Sequence, residues 1–93
     1  TDWLNARDVP QSAGRFGVDE YIDYLIAFLE HLGPGAHILA VCQPCVQALA
    51  AVAIMSAGEN PCVPRSMTLM AGPIDPNESP TMVNELAVKR SLA

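Results

Sequence analysis

A chain of 93 residues allows at most one small domain, and its net charge of −5, from 5 Lys and Arg against 10 Asp and Glu, leaves no basic stripe for a nucleic-acid backbone. No apolar stretch reaches the ~18 residues of a bilayer span, because Cys42, Gln43, Pro44 and Gln47 interrupt the longest one, and no charged leader with an apolar run and cleavage site is legible. Three cysteines cannot all pair within one chain, so free thiols point to a reducing compartment, most simply the cytoplasm.

Taken in order, Thr1 to Arg7 has no clean period, and Pro10 to Gly17 reads as loop. Val18, Tyr21, Ile22, Leu25, Phe28, Leu29 and Leu32 recur at helical spacing, Asp19 and Glu20 suit the N-terminal end of the helix dipole, and Gly33-Pro34-Gly35 stops the helix. His37-Ile38-Leu39-Ala40-Val41 is short, apolar on both faces and preceded by breakers, the pattern of a strand buried in a parallel sheet. Val46 to Met55 is almost wholly Ala, Val, Leu, Ile and Met and reads as a buried helix, closed by Gly58 in a left-handed turn. Ser66 to Ala71 reads as a second short strand, ended by Gly72-Pro73. Asp75 to Glu78 is a turn, and Ser79 and Pro80 read as cap and first turn of a last helix.

Between the central strand and helix lie only Cys42, Gln43 and Pro44, and Pro44 fits a first helical turn. Cys42 is therefore expected on a sharp strand-to-helix turn. Thiolate is the reactive form of cysteine, and a helix N-terminus favours it. The unpaired N–H groups of the first turn, Gln43 foremost, suit an oxyanion. Ala40-Val41-Cys42-Gln43-Pro44 thus occupies the positions of a G-x-S-x-G nucleophile elbow, with both flanking glycines replaced.

The order helix, strand, helix, strand implies a parallel sheet, and if Thr1-Asp2 ends a strand the arrangement is βαβαβ. The fold class expected is α/β. An excess of apolar residues, 51% of the chain, suggests one partial domain spanning 1–93, cut from a larger sheet protein. Function gathers at the carboxyl ends of such strands, which would bring Asp2 to Arg7, Cys42 to Pro44 and Gly72 to Asp75 to one rim.

These rim segments carry a resemblance. Thr1-Asp2-Trp3, Asn5-Ala6-Arg7, Val9-Pro10, Tyr21-Ile22-Asp23-Tyr24, Val41-Cys42-Gln43-Pro44, Gly72-Pro73-Ile74-Asp75 and Val83-Asn84-Glu85-Leu86 together resemble the intracellular poly(3-hydroxyalkanoate) depolymerases. Those are α/β-hydrolase-fold enzymes that cleave bacterial polyester storage granules. The resemblance implies a parallel-sheet fragment of an α/β-hydrolase core, cleavage of poly(3-hydroxybutyrate) esters and a location at the granule surface in the cytoplasm. It implies Cys42 as nucleophile, the Gln43 N–H as oxyanion donor, and Trp3, Asn5, Pro44 and Asp75 toward substrate. No cofactor and no metal is implied. The family's acid and histidine come later in the chain, whereas no histidine follows Cys42 here.

His37 begins the strand that Cys42 ends, roughly 16 Å away at ~3.3 Å per residue, and His31 ends a helix antiparallel to the strands. Neither is expected to serve as base to Cys42, so the isolated chain is expected to be inactive and to self-associate through its uncovered surfaces. Asp75 is either a triad acid or the cap of an Asx turn, and Trp3 is a pocket wall, a core aromatic, or both. Arg7 is expected to pair with a nearby carboxylate or carbonyl. A rival reading takes Cys42-Gln43-Pro44-Cys45 as a C-x-x-C thiol–disulfide pair, with Cys45 otherwise a packed residue. Zinc binding by Cys42, Cys45 and Cys62 lacks a fourth ligand. A non-catalytic interaction module is a third reading.

Overall fold

A computed structural model of the chain describes residues 1–78 and 81–89. Two short 3-10 turns, Ala6–Asp8 and Gln11–Ala13, precede helix α1 (Val18–Leu32), strand β1 (His37–Val41), helix α2 (Pro44–Ala57), strand β2 (Ser66–Met70) and helix α3 (Met82–Lys89). The strands are parallel and in register from His37 opposite Ser66 to Val41 opposite Met70. The α/β class and the crossover through α2 follow from this pairing.

The βαβαβ count does not hold among the described residues, because Thr1–Asn5 forms no strand. Trp3 instead fastens this segment to α1. Its indole packs within 6 Å of Phe16, Tyr21, Tyr24 and Phe28, so all five aromatic residues of the chain form one cluster. Aromatic pairs at such spacing add about 0.5–1.5 kcal/mol beyond their burial, enough to hold a short segment lacking ladder hydrogen bonds.

Helix α1 starts where the Glu20 carboxylate accepts the Gly17 N–H at 2.9 Å, and it stops where Gly33 turns to φ 83°. Helix α2 lies on the sheet through small side chains. Cys45, Ala48 and Ala51 are buried on one stripe, and Cys45 and Ala48 close on Ala40, with Ile38 and Leu69 around them. Small residues on both sides let helix and strand approach closely.

The end of α2 departs from the expected left-handed Gly58, whose φ is −87°. The left-handed residue is Glu59 at φ 54°, because Gly58 still accommodates the last helical turn. The Asn60 N–H reaches back to the Met55 carbonyl at 2.9 Å and the Glu59 N–H to Ser56 at 3.1 Å, the pair of bonds that closes a Schellman motif.

Neither β1 nor β2 is buried on both faces. Ile38 and Ala40 face α2, whereas Leu39 is 63% exposed and Val41 and Met70 about half exposed, since no described element covers the other face. Helix α3 likewise leaves Met82, Val83, Leu86 and Val88 exposed. Ser79 and Pro80, expected as its cap and first turn, lie outside the described residues.

Candidate active site

Strand β1 delivers Cys42 to the sheet rim, and α2 begins two residues later. The Cys42 N–H extends the ladder by one bond, to the Met70 carbonyl at 2.8 Å. The backbone then reverses. Cys42 has φ 65°, a left-handed conformation that costs an L-residue about 1–2 kcal/mol. Its carbonyl accepts the Cys45 N–H at 3.1 Å, and the Gln43 carbonyl accepts the Val46 N–H at 3.3 Å, so the first turn of α2 closes around the cysteine. Cys42 is exposed.

This geometry settles which first-turn donors are free. Cys45 and Val46 spend their N–H groups on Cys42 and Gln43, and Pro44 has none to offer. The Gln43 N–H has no backbone acceptor among the described residues, and it is the donor adjoining the thiol. An exposed cysteine beside one free amide is the minimal arrangement for attack on a carbonyl with stabilisation of the resulting oxyanion.

Cys45 is of another kind. It is fully buried, and its thiol donates to the Ala40 carbonyl at 3.3 Å and points at Met70 O at 3.6 Å. It is a packing residue with a satisfied S–H. Cys62 is partly buried in the loop after α2, its N–H held by Asn60 Oδ1 at 2.9 Å, and all three cysteines are free. Among the described residues no group of His, Cys, Asp and Glu is placed to hold a metal ion.

Trp3 and Pro44 line a shared groove of about 380 Å³ with Thr1, Tyr21, Phe28 and the whole of β1. No residue of β2 lines it, so it runs along the edge of β1 turned away from β2. Trp3 is both groove wall and hub of the aromatic cluster, as its half-buried state requires. Asn5 and Asp75 have local duties. Asn5 Oδ1 caps the first 3-10 turn through the Arg7 N–H at 3.1 Å, and Asp75 Oδ1 accepts the Asn77 N–H at 3.1 Å in an Asx turn. Arg7 does not make the pairing expected of it. Its side chain is exposed and has no carboxylate or carbonyl partner among the described residues, where the ion pair formed is Arg15 with Glu20 at 3.5 Å.

The histidines lie at the far rim. His37 Nδ1 and Ser66 Oγ meet at 2.6 Å across the first register pair, at the opposite strand end from Cys42. Glu30, next to His31, is bonded to Asn60 just past the end of α2, which places the end of α1 at that same rim. The residue that sequence reasoning left without a role is Gly72, which lies against both Cys42 and Cys45. Its signals were a glycine directly after a strand and a place on the rim expected to hold Cys42.

No helix of the described residues is long and apolar enough to cross a membrane. Comparison with protein families, with curated proteins and with solved structures finds no match to this chain.

Proposed function

We propose that the chain is the elbow portion of an α/β-hydrolase-type carboxylic ester hydrolase, with Cys42 as nucleophile and poly(3-hydroxybutyrate) as substrate. The observation that carries this reading is an exposed Cys42 at φ 65° between a parallel strand and a helix, with the Gln43 N–H free beside it. The substrate class rests on the resemblance to intracellular poly(3-hydroxyalkanoate) depolymerases, and with it the granule surface in the cytoplasm.

In this reading the Cys42 sulfur adds to an ester carbonyl carbon while the Gln43 N–H holds the developing oxyanion. The carbon–oxygen bond then breaks, the departing alkoxide takes the proton given up by the Cys42 thiol, and a 3-hydroxyacyl thioester remains on Cys42. Water attacks that thioester, releasing the acid and returning the proton to sulfur. The second step needs a base, and His31 and His37 are at the wrong rim. The base is therefore taken from outside these 93 residues, in keeping with the later acid and histidine that the resemblance implies. The groove along β1, walled by Trp3 and Pro44, suits the aliphatic part of the polyester.

The thiol–disulfide reading is less favoured, because Cys45 is enclosed and its thiol already engaged with Ala40. The test is acylation by the p-nitrophenyl ester of 3-hydroxybutyrate, followed by intact mass and peptide mapping. One acyl group per chain on Cys42, absent from Cys42→Ala and without sustained turnover, is the expected result. Acylation of Cys62 alone, or none, overturns the assignment. Sustained turnover abolished by Cys42→Ala overturns the placement of the base, and brings a histidine of this chain, or of a second copy, into the site.

A further inference from the structure

Gly72 stands where the two strand ends and the first turn of α2 meet. A Cβ at this position would overlap Cys45 Cβ outright, fall 2.5 Å from Cys45 Sγ and lie 3.0 Å from the Cys42 carbonyl oxygen. Side-chain rotation cannot relieve the first of these, because the helix backbone fixes a Cβ. Nor can Cys45 retreat, since it is enclosed by Ala40 and Ala48 with its thiol held by the Ala40 carbonyl. Only glycine fits without moving backbone.

The backbone that would have to move is the elbow itself. Shifting the loop after β2 displaces Met70, whose carbonyl holds the Cys42 N–H, and shifting α2 displaces Cys45, whose N–H is held by the Cys42 carbonyl. Both routes lead to Cys42. We propose that Gly72 is a positioning residue for Cys42: its missing side chain lets the loop after β2 close on α2 and so keeps Cys42 in its left-handed conformation with the sulfur exposed. The close approach that G-x-S-x-G elbows obtain from flanking glycines is supplied here from the neighbouring strand, while Ala40 and Pro44 fill the flanks. The assignment rests on Cys42 being the reactive group.

The experiment measures iodoacetamide alkylation of Cys42 relative to Cys62 in the same folded molecule, for the native chain, Gly72→Ala, Cys45→Gly and the double variant. Gly72→Ala is expected to lower the Cys42-to-Cys62 ratio about tenfold, and the double variant to return to within about threefold of Cys45→Gly, since removing the Cys45 Cβ makes room for the new methyl. A general loss of stability would raise the rate at the partly buried Cys62 and leave the exposed Cys42 unslowed. The effect is therefore scored as a fall in the Cys42 rate at an unchanged Cys62 rate. If Gly72→Ala alone does not fold, the double variant measured against Cys45→Gly decides. An unchanged ratio in Gly72→Ala, or a lowered ratio that Cys45→Gly leaves lowered, overturns the proposal. Acylation by the 3-hydroxybutyrate ester is scored separately. A native chain that alkylates as expected but is not acylated removes the ester reading and leaves the positioning role of Gly72 standing.

Discussion

Cys42 and Ala71 are the first residues beyond the paired strand ends Val41 and Met70, and both turn to positive φ, 65° and 54°. Two adjacent parallel strands thus leave the sheet by the same unfavourable step. Neither residue is a glycine, so the surrounding bonds hold both conformations: the Cys42 N–H on Met70, the Cys45 N–H on Cys42, and Gly72 seated against the first turn of α2.

Left-handed residues that carry no chemistry are places to gain stability. Ala71→Gly and Glu59→Gly each remove a Cβ from a positive-φ position, and each is expected to stabilise the chain by about 0.5–1 kcal/mol after the added entropy of an unfolded glycine. Thermal melting checks this, with an increase of a few degrees for each variant. A lower melting temperature for Glu59→Gly would mean that the exposed Glu59 side chain contributes more than its backbone costs.

The thiols are expected to separate by environment. Under limiting iodoacetamide, Cys42 labels first, Cys62 later and Cys45 only on unfolding, in keeping with their exposed, partly buried and fully buried states. Peptide mapping by mass spectrometry reads the order. Mild oxidation separates the rival reading: a Cys42–Cys45 disulfide with a measurable reduction potential supports thiol–disulfide chemistry, whereas the burial of Cys45 leads us to expect both thiols unpaired.

Much of this architecture is written in local pattern. The helical recurrence from Val18 to Leu32, the breakers Gly33-Pro34-Gly35 and the apolar run ending in Cys42-Gln43-Pro44 are short-range signals, and the elements observed follow them closely. What escaped were the consequences of tertiary context. An apolar strand looks the same whether one face or both are covered, so the sequence pointed to uncovered surfaces but not to Leu39 and Val41 as the residues that carry them. The hinge from Gly58 to Glu59 depended on how far α2 continued, which propensity does not fix to the residue. The role of Gly72 required knowing that Val41 and Met70 are neighbours. The elbow was legible because its parts are contiguous; its support was not, because it comes from another strand.

Acid is expected to weaken the start of α1 through Glu20. The Glu20 carboxyl accepts hydrogen bonds from the backbone N–H of Glu20 and of Gly17, with Arg15 adding a smaller attraction, and these hold its pKa below the ordinary glutamate value. A group with a lowered folded pKa contributes stability that is fully present above its unfolded value and is lost as the pH falls through the folded one. Melting temperature followed from pH 6 to pH 3 should therefore drop more steeply for the native chain than for Glu20→Gln, most of the difference arising below about pH 4.3. Parallel curves would show that the charge on Glu20 does nothing for stability.

The surfaces left bare lead to the final prediction, that the chain associates with itself. Strand β1 pairs only with β2 among the described residues, so its other edge offers unpaired backbone groups along His37–Val41. The strand carries no Lys, Glu, proline or bulge, and the groove walled by Trp3 and Pro44 leaves its edge open rather than filled. Beside it, Leu39, Val41 and Met70 present an apolar face to solvent. A second copy meets both needs at once: antiparallel pairing of β1 with its symmetry mate satisfies the edge and brings Leu39 and Val41 of each copy onto one continuous face. Light scattering at micromolar concentration is expected to give a dimer or larger assembly. Leu39→Lys, which places a charge on that face without touching Cys42 or the α2 core, should shift the chain toward monomer. A monomeric mass for the native chain contradicts the prediction. A dimer indifferent to Leu39→Lys would move the contact to the exposed apolar side of α3, where Met82, Val83 and Leu86 stand uncovered.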